Sequence, residues 1–61
     1  MFLVLTATRL PDHLAGYISR FLTEVDTGVY VGNVSRKVRD NLWKRCNEAL
    51  KAGSLTMINN D

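Results

Sequence analysis

A chain of 61 residues, 46% of them hydrophobic, is long enough for one small domain, and its net charge of +2 says little by itself. Such a chain buries only about 60% of the surface that it exposes when unfolded, so a disulfide, a metal or a partner chain usually stabilises it. A single cysteine excludes an internal disulfide, and with a single histidine it disfavours a Cys/His metal cluster. We therefore expect an oligomer without a cofactor.

The lone thiol and the character of the first residues both indicate a protein of the cytoplasm. Cys46 is predicted to be a small core residue, and a nucleophilic role with His13 as base is disfavoured because no third group orients the pair. The opening MFLVLTAT lacks the basic region of a signal peptide, and no apolar run approaches the roughly 18 residues of a membrane span. We expect a cytoplasmic protein that is not associated with a membrane.

The first half of the chain predicts a strand followed by a helix. The continuous apolar run Phe2–Leu5 is typical of a central strand covered on both faces. Pro11 and Asp12 suit a helix start. The helix is predicted to continue for about 14 residues to Asp26–Thr27, because apolar residues recur at helical spacing. These residues are Leu14, Tyr17, Ile18, Phe21, Leu22 and Val25.

The second half predicts strand, helix and strand. Val29–Val31 should form a strand parallel to the first, since a helical crossover would join them. Ser35 is the expected cap of the next helix, and Gly53 its expected end. Leu55, Met57 and Ile58 form a last strand. The order β-α-β-α-β predicts one α+β domain over residues 1–61, ferredoxin-like (plait-type), with one or more C-terminal strands missing.

Positive charge is concentrated in the second half of the chain. Residues 1–33 carry a charge of −1, whereas residues 34–53 carry +4. From charge alone, a solvated helix face explains this excess, and a surface that binds polyanions is the alternative. Arg9, His13, Arg36 and Lys37 lie at or near predicted helix starts, where phosphates are often bound.

The sequence contains no known phosphate-loop pattern, because Gly28 and Gly32 flank a strand and do not open a helix. Carboxylates holding Mg²⁺ would be needed for metal-dependent cleavage of a phosphodiester. The end of the first strand, Thr6–Arg9, has none, and Asp12 is the nearest. Asp12 is better explained as an acidic residue at a helix N-terminus.

The stretch GVYVGNVSRKVRDNLWKR, residues 28–45, resembles a known family. It is similar to the small adaptation subunit of CRISPR systems, the CRISPR-associated protein "Cas two", in its type I-E branch. The likeness extends over LVLTATRLP, FLTEVDTG and SLTMINND, which is nearly the whole chain.

The resemblance implies a ferredoxin-like homodimer that lies between two dimers of the integrase subunit "Cas one". This assembly binds prespacer DNA and inserts its ends into the CRISPR array, and the small subunit binds the backbone of the middle of the duplex. The family's acidic metal ligand at the end of the first strand corresponds to Thr8, so nuclease activity is not expected. The DNA-binding positions implied are Arg9, His13, Arg36, Lys37 and Arg39.

Two alternatives remain open. One is a metal-dependent nuclease acting on RNA or DNA, the only case in which Mg²⁺ is expected. The other is a small regulatory or interaction domain of the same fold. The resemblance also implies that the family's chains continue beyond Asp61, with further strands or a fused exonuclease domain.

Overall fold

Four strands and two helices make up the computed structural model, which describes residues 1–50 and 53–60. In chain order they are β1 (Phe2–Ala7), α1 (Asp12–Ile18), β2 (Thr23–Asp26), β3 (Val29–Asn33), α2 (Arg36–Ala49) and β4 (Leu55–Asn59). The strands form one antiparallel sheet in the order β2-β3-β1-β4. The element order β-α-β-β-α-β with this sheet confirms the predicted ferredoxin-like α+β fold.

The predicted first helix is too long, and the strand that follows it was not predicted. Helix α1 ends at Ile18, and the N–H groups of Phe21 and Leu22 both donate to the Ile18 carbonyl, at 3.0 and 2.9 Å, closing a tight turn. Leu22 lies in that turn and is buried, which explains why apolar residues keep a helical spacing past the end of the helix. Thr23–Asp26 then forms β2, where β-branched Thr23 and Val25 fit a strand.

The prediction that the first strand and Val29–Val31 run parallel is wrong. Val29–Val31 lies within β3, which pairs with β1 in the antiparallel sense, Val4 opposite Val31. Since β2 is antiparallel to β3 as well, β1 and β2 run in the same direction on either side of β3. The crossover through α1 therefore joins β1 to β2, and the handedness rule applies to that pair of strands.

The core lies between one face of the sheet and the two helices. Leu3, Leu5 and Tyr30 come from the sheet, and Ile18, Leu42 and Cys46 from the helices; all six are at most 1% exposed. Cys46 is thus the core residue that the sequence predicts, and burial raises the pKa of its thiol. Helix α2 ends at Ala49, four positions before Gly53, so the prediction that Gly53 closes this helix is wrong.

The other face of the sheet is open in the single chain. Val4 lies opposite Val31 on one side and Ile58 on the other, so these three side chains form an apolar row on that face. Phe2, also on this face, is 45% exposed, and Ile58 is 63% exposed. The predicted central position of β1 is confirmed, but the helices cover only one of its faces. Within residues 1–50 and 53–60, no helix has the length and apolar character to cross a membrane.

Candidate nucleic-acid interface

The sheet topology separates the predicted DNA-binding residues into two groups. Because β1 and β3 are antiparallel, α1 begins at one end of the sheet and α2 begins at the other. Arg9 and His13 therefore lie at one end, and Arg36, Lys37 and Arg39 at the other. The 14 residues of α2 separate these ends by about 20 Å. The structure does not bring the five residues into a single patch.

Arg9 lies in the loop after β1 with a left-handed backbone, φ 55°. This conformation is uncommon for a residue other than glycine and costs on the order of 1 kcal/mol. The exposed Arg9 shares a shallow pocket with Asp12 and Glu24, whose carboxylates reduce the local positive potential. Arg9 is thus a weaker candidate for a phosphate contact than its sequence position indicates.

His13 lies beside the C-terminal part of α2. It shares a small pocket with Leu14, Arg45, Glu48 and Ala49. The cation that lies next to His13 in this pocket is therefore Arg45 of α2, although α2 begins at the opposite end of the sheet, about 20 Å away. The antiparallel packing of α1 and α2 produces this neighbourhood, which cannot be read from adjacent residues in the sequence.

At the start of α2, the predicted cap is confirmed. The Ser35 hydroxyl accepts a hydrogen bond from the Val38 N–H at 3.2 Å. Lys37 follows the cap and is exposed. This start of the helix places Lys37 at the surface and directs Val38 toward the core.

Arg39 is held by neighbouring side chains. Its Nε and Nη2 donate to Asp40 Oδ1 at 3.0 and 2.7 Å, and its Nη1 donates to Asn59 Oδ1 at 3.2 Å. The guanidinium therefore joins α2 to the edge strand β4. Three of its N–H groups are already used, so Arg39 has little capacity for a phosphate.

Thr8, which the resemblance aligns with a metal-ligand position, joins the end of β1 to the start of β4. Its hydroxyl lies 3.0 Å from Ser54 Oγ and accepts a hydrogen bond from the Ser54 N–H at 2.9 Å, while the Thr8 N–H donates to the Ser54 carbonyl at 3.0 Å. A Cβ at Gly53 would clash with the Thr8 carbonyl. We call this set of contacts the Thr8–Ser54 clasp. The polar atoms of Thr8 and Ser54 thus join β1 to β4.

Two large aromatic residues of the second half of the chain, Tyr30 and Trp43, have different surroundings. Tyr30 is buried, and burial, together with the charge and hydrogen bonding of Glu24, raises the pKa of its phenol. Trp43 is 46% exposed and lines a shallow groove of about 360 Å³ with Arg39, Asp40, Met57 and Asn59. Tyr30 belongs to the core, whereas Trp43 belongs to the groove between α2 and β4.

A row of polar residues along α2 was not among the predicted site residues, apart from Lys37. Lys37, Asn41, Lys44, Arg45 and Glu48 share one exposed side of the helix, and we call this row the α2 ridge. The last four line a groove with Tyr17 of α1. The signal is present in the sequence, since positions 37, 41, 44, 45 and 48 have the spacing of one helical side. The resemblance, however, implies DNA contacts at the start of this helix alone.

Among the described residues, no cluster of three or more His, Cys, Asp or Glu could hold a metal ion.

A match to a protein family identifies the kind of protein to which this chain belongs. A family model described as CRISPR-associated protein (Cas_Cas2CT1978) matches residues 2–61, nearly the whole chain. The chain belongs to this family of CRISPR-associated proteins.

Proposed function

We propose that the protein acts in CRISPR adaptation as a non-catalytic, homodimeric subunit. It bridges two dimers of the integrase and binds the middle of a prespacer DNA duplex through its phosphates, in the cytoplasm. Family membership supports the CRISPR role. The finer assignment to the type I-E branch rests on the resemblance of residues 28–45 and is part of the proposal.

The observation that carries the non-catalytic role is the Thr8–Ser54 clasp. A threonine hydroxyl does not ionise to bind a hard divalent cation as a carboxylate does. Here the Thr8 oxygen also accepts the Ser54 N–H and contacts the Ser54 hydroxyl. The family's ligand position is thus used for joining strands, and the protein contributes charge and shape to the assembly.

The open face of the sheet supports a second copy of this chain as the partner. The apolar run Phe2–Leu5 is the pattern of a strand covered on both faces, yet the helices cover one. Phe2, Val4, Val31 and Ile58 lie on the uncovered face. These four side chains are all apolar, so a second copy of the same face is a better partner for this face than nucleic acid is.

DNA binding is tested by fluorescence anisotropy with two labelled duplexes of unrelated sequence over a range of NaCl concentrations. We expect similar affinities for both, falling linearly with salt on a logarithmic plot. Replacing Arg36 and Lys37 with Ala should weaken binding and reduce the slope by about 1 for each phosphate that is no longer neutralised. Arg20→Ala, in the turn after α1, is the charge control. Lack of binding at low salt, alone or with the integrase, would reject the proposal and favour an interaction domain.

The nuclease alternative has one structural observation in its favour. Asp12 and Glu24 line the same pocket as Arg9, close to the end of β1. In the same preparations, incubation of RNA and DNA with Mg²⁺ should leave both substrates intact. Cleavage by the purified protein that disappears in Asp12→Ala would support the nuclease instead, whereas cleavage that survives this change would indicate a contaminant.

A further inference from the structure

We propose that the α2 ridge is the middle of a phosphate-binding surface, with Lys44 and Arg45 as contacts to duplex DNA. This inference rests on the proposed function and adds to it. The residues predicted from the sequence lie in two groups about 20 Å apart. Lys44 and Arg45 lie between them, and Arg45 is beside His13 while Lys37 begins the ridge.

The cations of the ridge are available to a ligand. Lys37, Lys44 and Arg45 are all exposed, and none of them forms an ion pair within residues 1–50 and 53–60. Arg39, on the same helix, is held by Asp40 and by Asn59 of β4. Arg39 is thus committed to structure, whereas the cations of the α2 ridge have no carboxylate partner among the described residues.

The surroundings of the ridge keep its potential positive. Glu48 is the carboxylate that lines the groove between the helices. Asp40 is paired with Arg39, whereas Glu24 and Asp26 belong to β2 and not to this helix. Three formal positive charges against one negative charge therefore remain along this side of α2.

Arg45 is oriented by an aromatic ring. Its guanidinium carbon lies 4.9 Å from the centroid of the Tyr17 ring. This cation–π contact uses the face of the guanidinium and leaves its N–H groups in the plane free to donate to phosphate oxygens. The Tyr17 ring is itself fixed by an edge-to-face contact with Phe21, at 5.4 Å between centroids. Arg45 is thus held in place and keeps its capacity for hydrogen bonds.

The geometry suits the backbone of a duplex. Lys37 and Arg45 are separated by about 12 Å along the helix axis, a distance that spans several phosphates of a duplex. A single strand would need aromatic faces on which its bases could stack. The Tyr17 ring, which lines the groove, has one face covered by Arg45. Contacts to phosphates, with no reading of bases, are what this surface provides.

The experiment compares the full chain, the double variant Lys44→Ala/Arg45→Ala and the control Arg20→Ala. Binding of a labelled duplex of about 25 base pairs and of a labelled single strand is followed by anisotropy from about 50 to 300 mM NaCl. The double variant should bind the duplex at least about tenfold more weakly at about 100 mM NaCl, with a salt slope smaller in magnitude by about 2. The control should retain the wild-type slope. Circular dichroism checks that all three proteins are folded.

The outcomes separate this inference from the proposed function. Wild-type binding with an unchanged slope in the double variant would overturn the role of the ridge and leave the proposed function standing. Absence of duplex binding by the wild type would overturn both. Binding of the single strand at least as tightly as the duplex, with equal weakening in the variant, would overturn the assignment to duplex DNA. A weaker slope for the duplex in the double variant alone is the supporting result.

Discussion

The turn between β2 and β3 depends on a residue without a side chain. Gly28 has φ +74°, and a Cβ there would clash with the Ala7 carbonyl. Its own carbonyl accepts the Ala7 N–H at 2.9 Å, so the turn and the end of β1 are held together. The left-handed backbone and the close approach each require glycine.

Gly28→Ala is therefore expected to destabilise the protein by about 2–3 kcal/mol, the sum of backbone strain and a disturbed hydrogen bond. Gly16→Ala is the matched control, since a Cβ at Gly16 would meet nothing within 4 Å. In the interior of α1 it should stabilise the protein by up to about 1 kcal/mol. Urea denaturation of the three proteins measures both changes. Equal effects of the two substitutions would show that the turn does not require Gly28.

Helix α2 carries basic residues at its start and along the α2 ridge. The stability of its first turn therefore matters for both of these proposed DNA-binding surfaces. The Ser35 hydroxyl satisfies the Val38 N–H, which would otherwise lack a partner in the helix. Ser35→Ala should cost about 1 kcal/mol, whereas Ser35→Asp should keep most of the stability because aspartate also caps. Ser19→Ala, at the exposed end of α1, should change little. Thermal denaturation gives the comparison, and an equally large destabilisation by Ser19→Ala would contradict the role of the cap.

Elements with strong apolar patterns were predictable, and β2 was not. Strand β1, helix α2 and strand β4 each place apolar residues toward the core at the spacing of their own geometry. Every residue of β2 is exposed, so no alternation of apolar and polar residues marks it as a strand. Its existence depends on backbone pairing with β3. In addition, the helical spacing of apolar residues in α1 continues to the buried Leu22, in the turn before β2, so the sequence pattern predicts a helix there.

At the scale of the whole molecule, the open face of the sheet should decide the oligomeric state. Ile58→Asp would place a carboxylate in the middle of the proposed interface, where burying an unpaired charge is costly. We expect the wild type to elute as a dimer and Ile58→Asp as a monomer in size-exclusion chromatography with light scattering. Asn47→Asp adds the same charge on α2, which lies on the other side of the sheet, and should leave the dimer intact. A wild type that elutes as a monomer would remove the homodimer from the proposed function.

The candidate site was predictable in its chemistry and not in its arrangement. Basic residues near helix starts are visible in the sequence, but their distance apart follows from strand directions that were wrongly assigned for Val29–Val31. The contact of Arg39 with Asn59 brings together residues 20 positions apart. Patterns within one sequence do not show such contacts, because they arise from the packing of α2 against β4.

The position of β1 in the sheet also has a consequence for how the chain acquires its fold during synthesis. The strand emerges from the ribosome before the other strands of this sheet, yet its two neighbours are β3 and β4, and the Phe2 N–H donates to Asn60 Oδ1, 58 residues later. Contacts over such separations slow folding. The apolar Phe2–Leu5 segment must therefore remain unpaired on both edges until β3 appears, and on one edge until β4 does. Folding of this domain is expected to be completed only after most of these residues have left the ribosome.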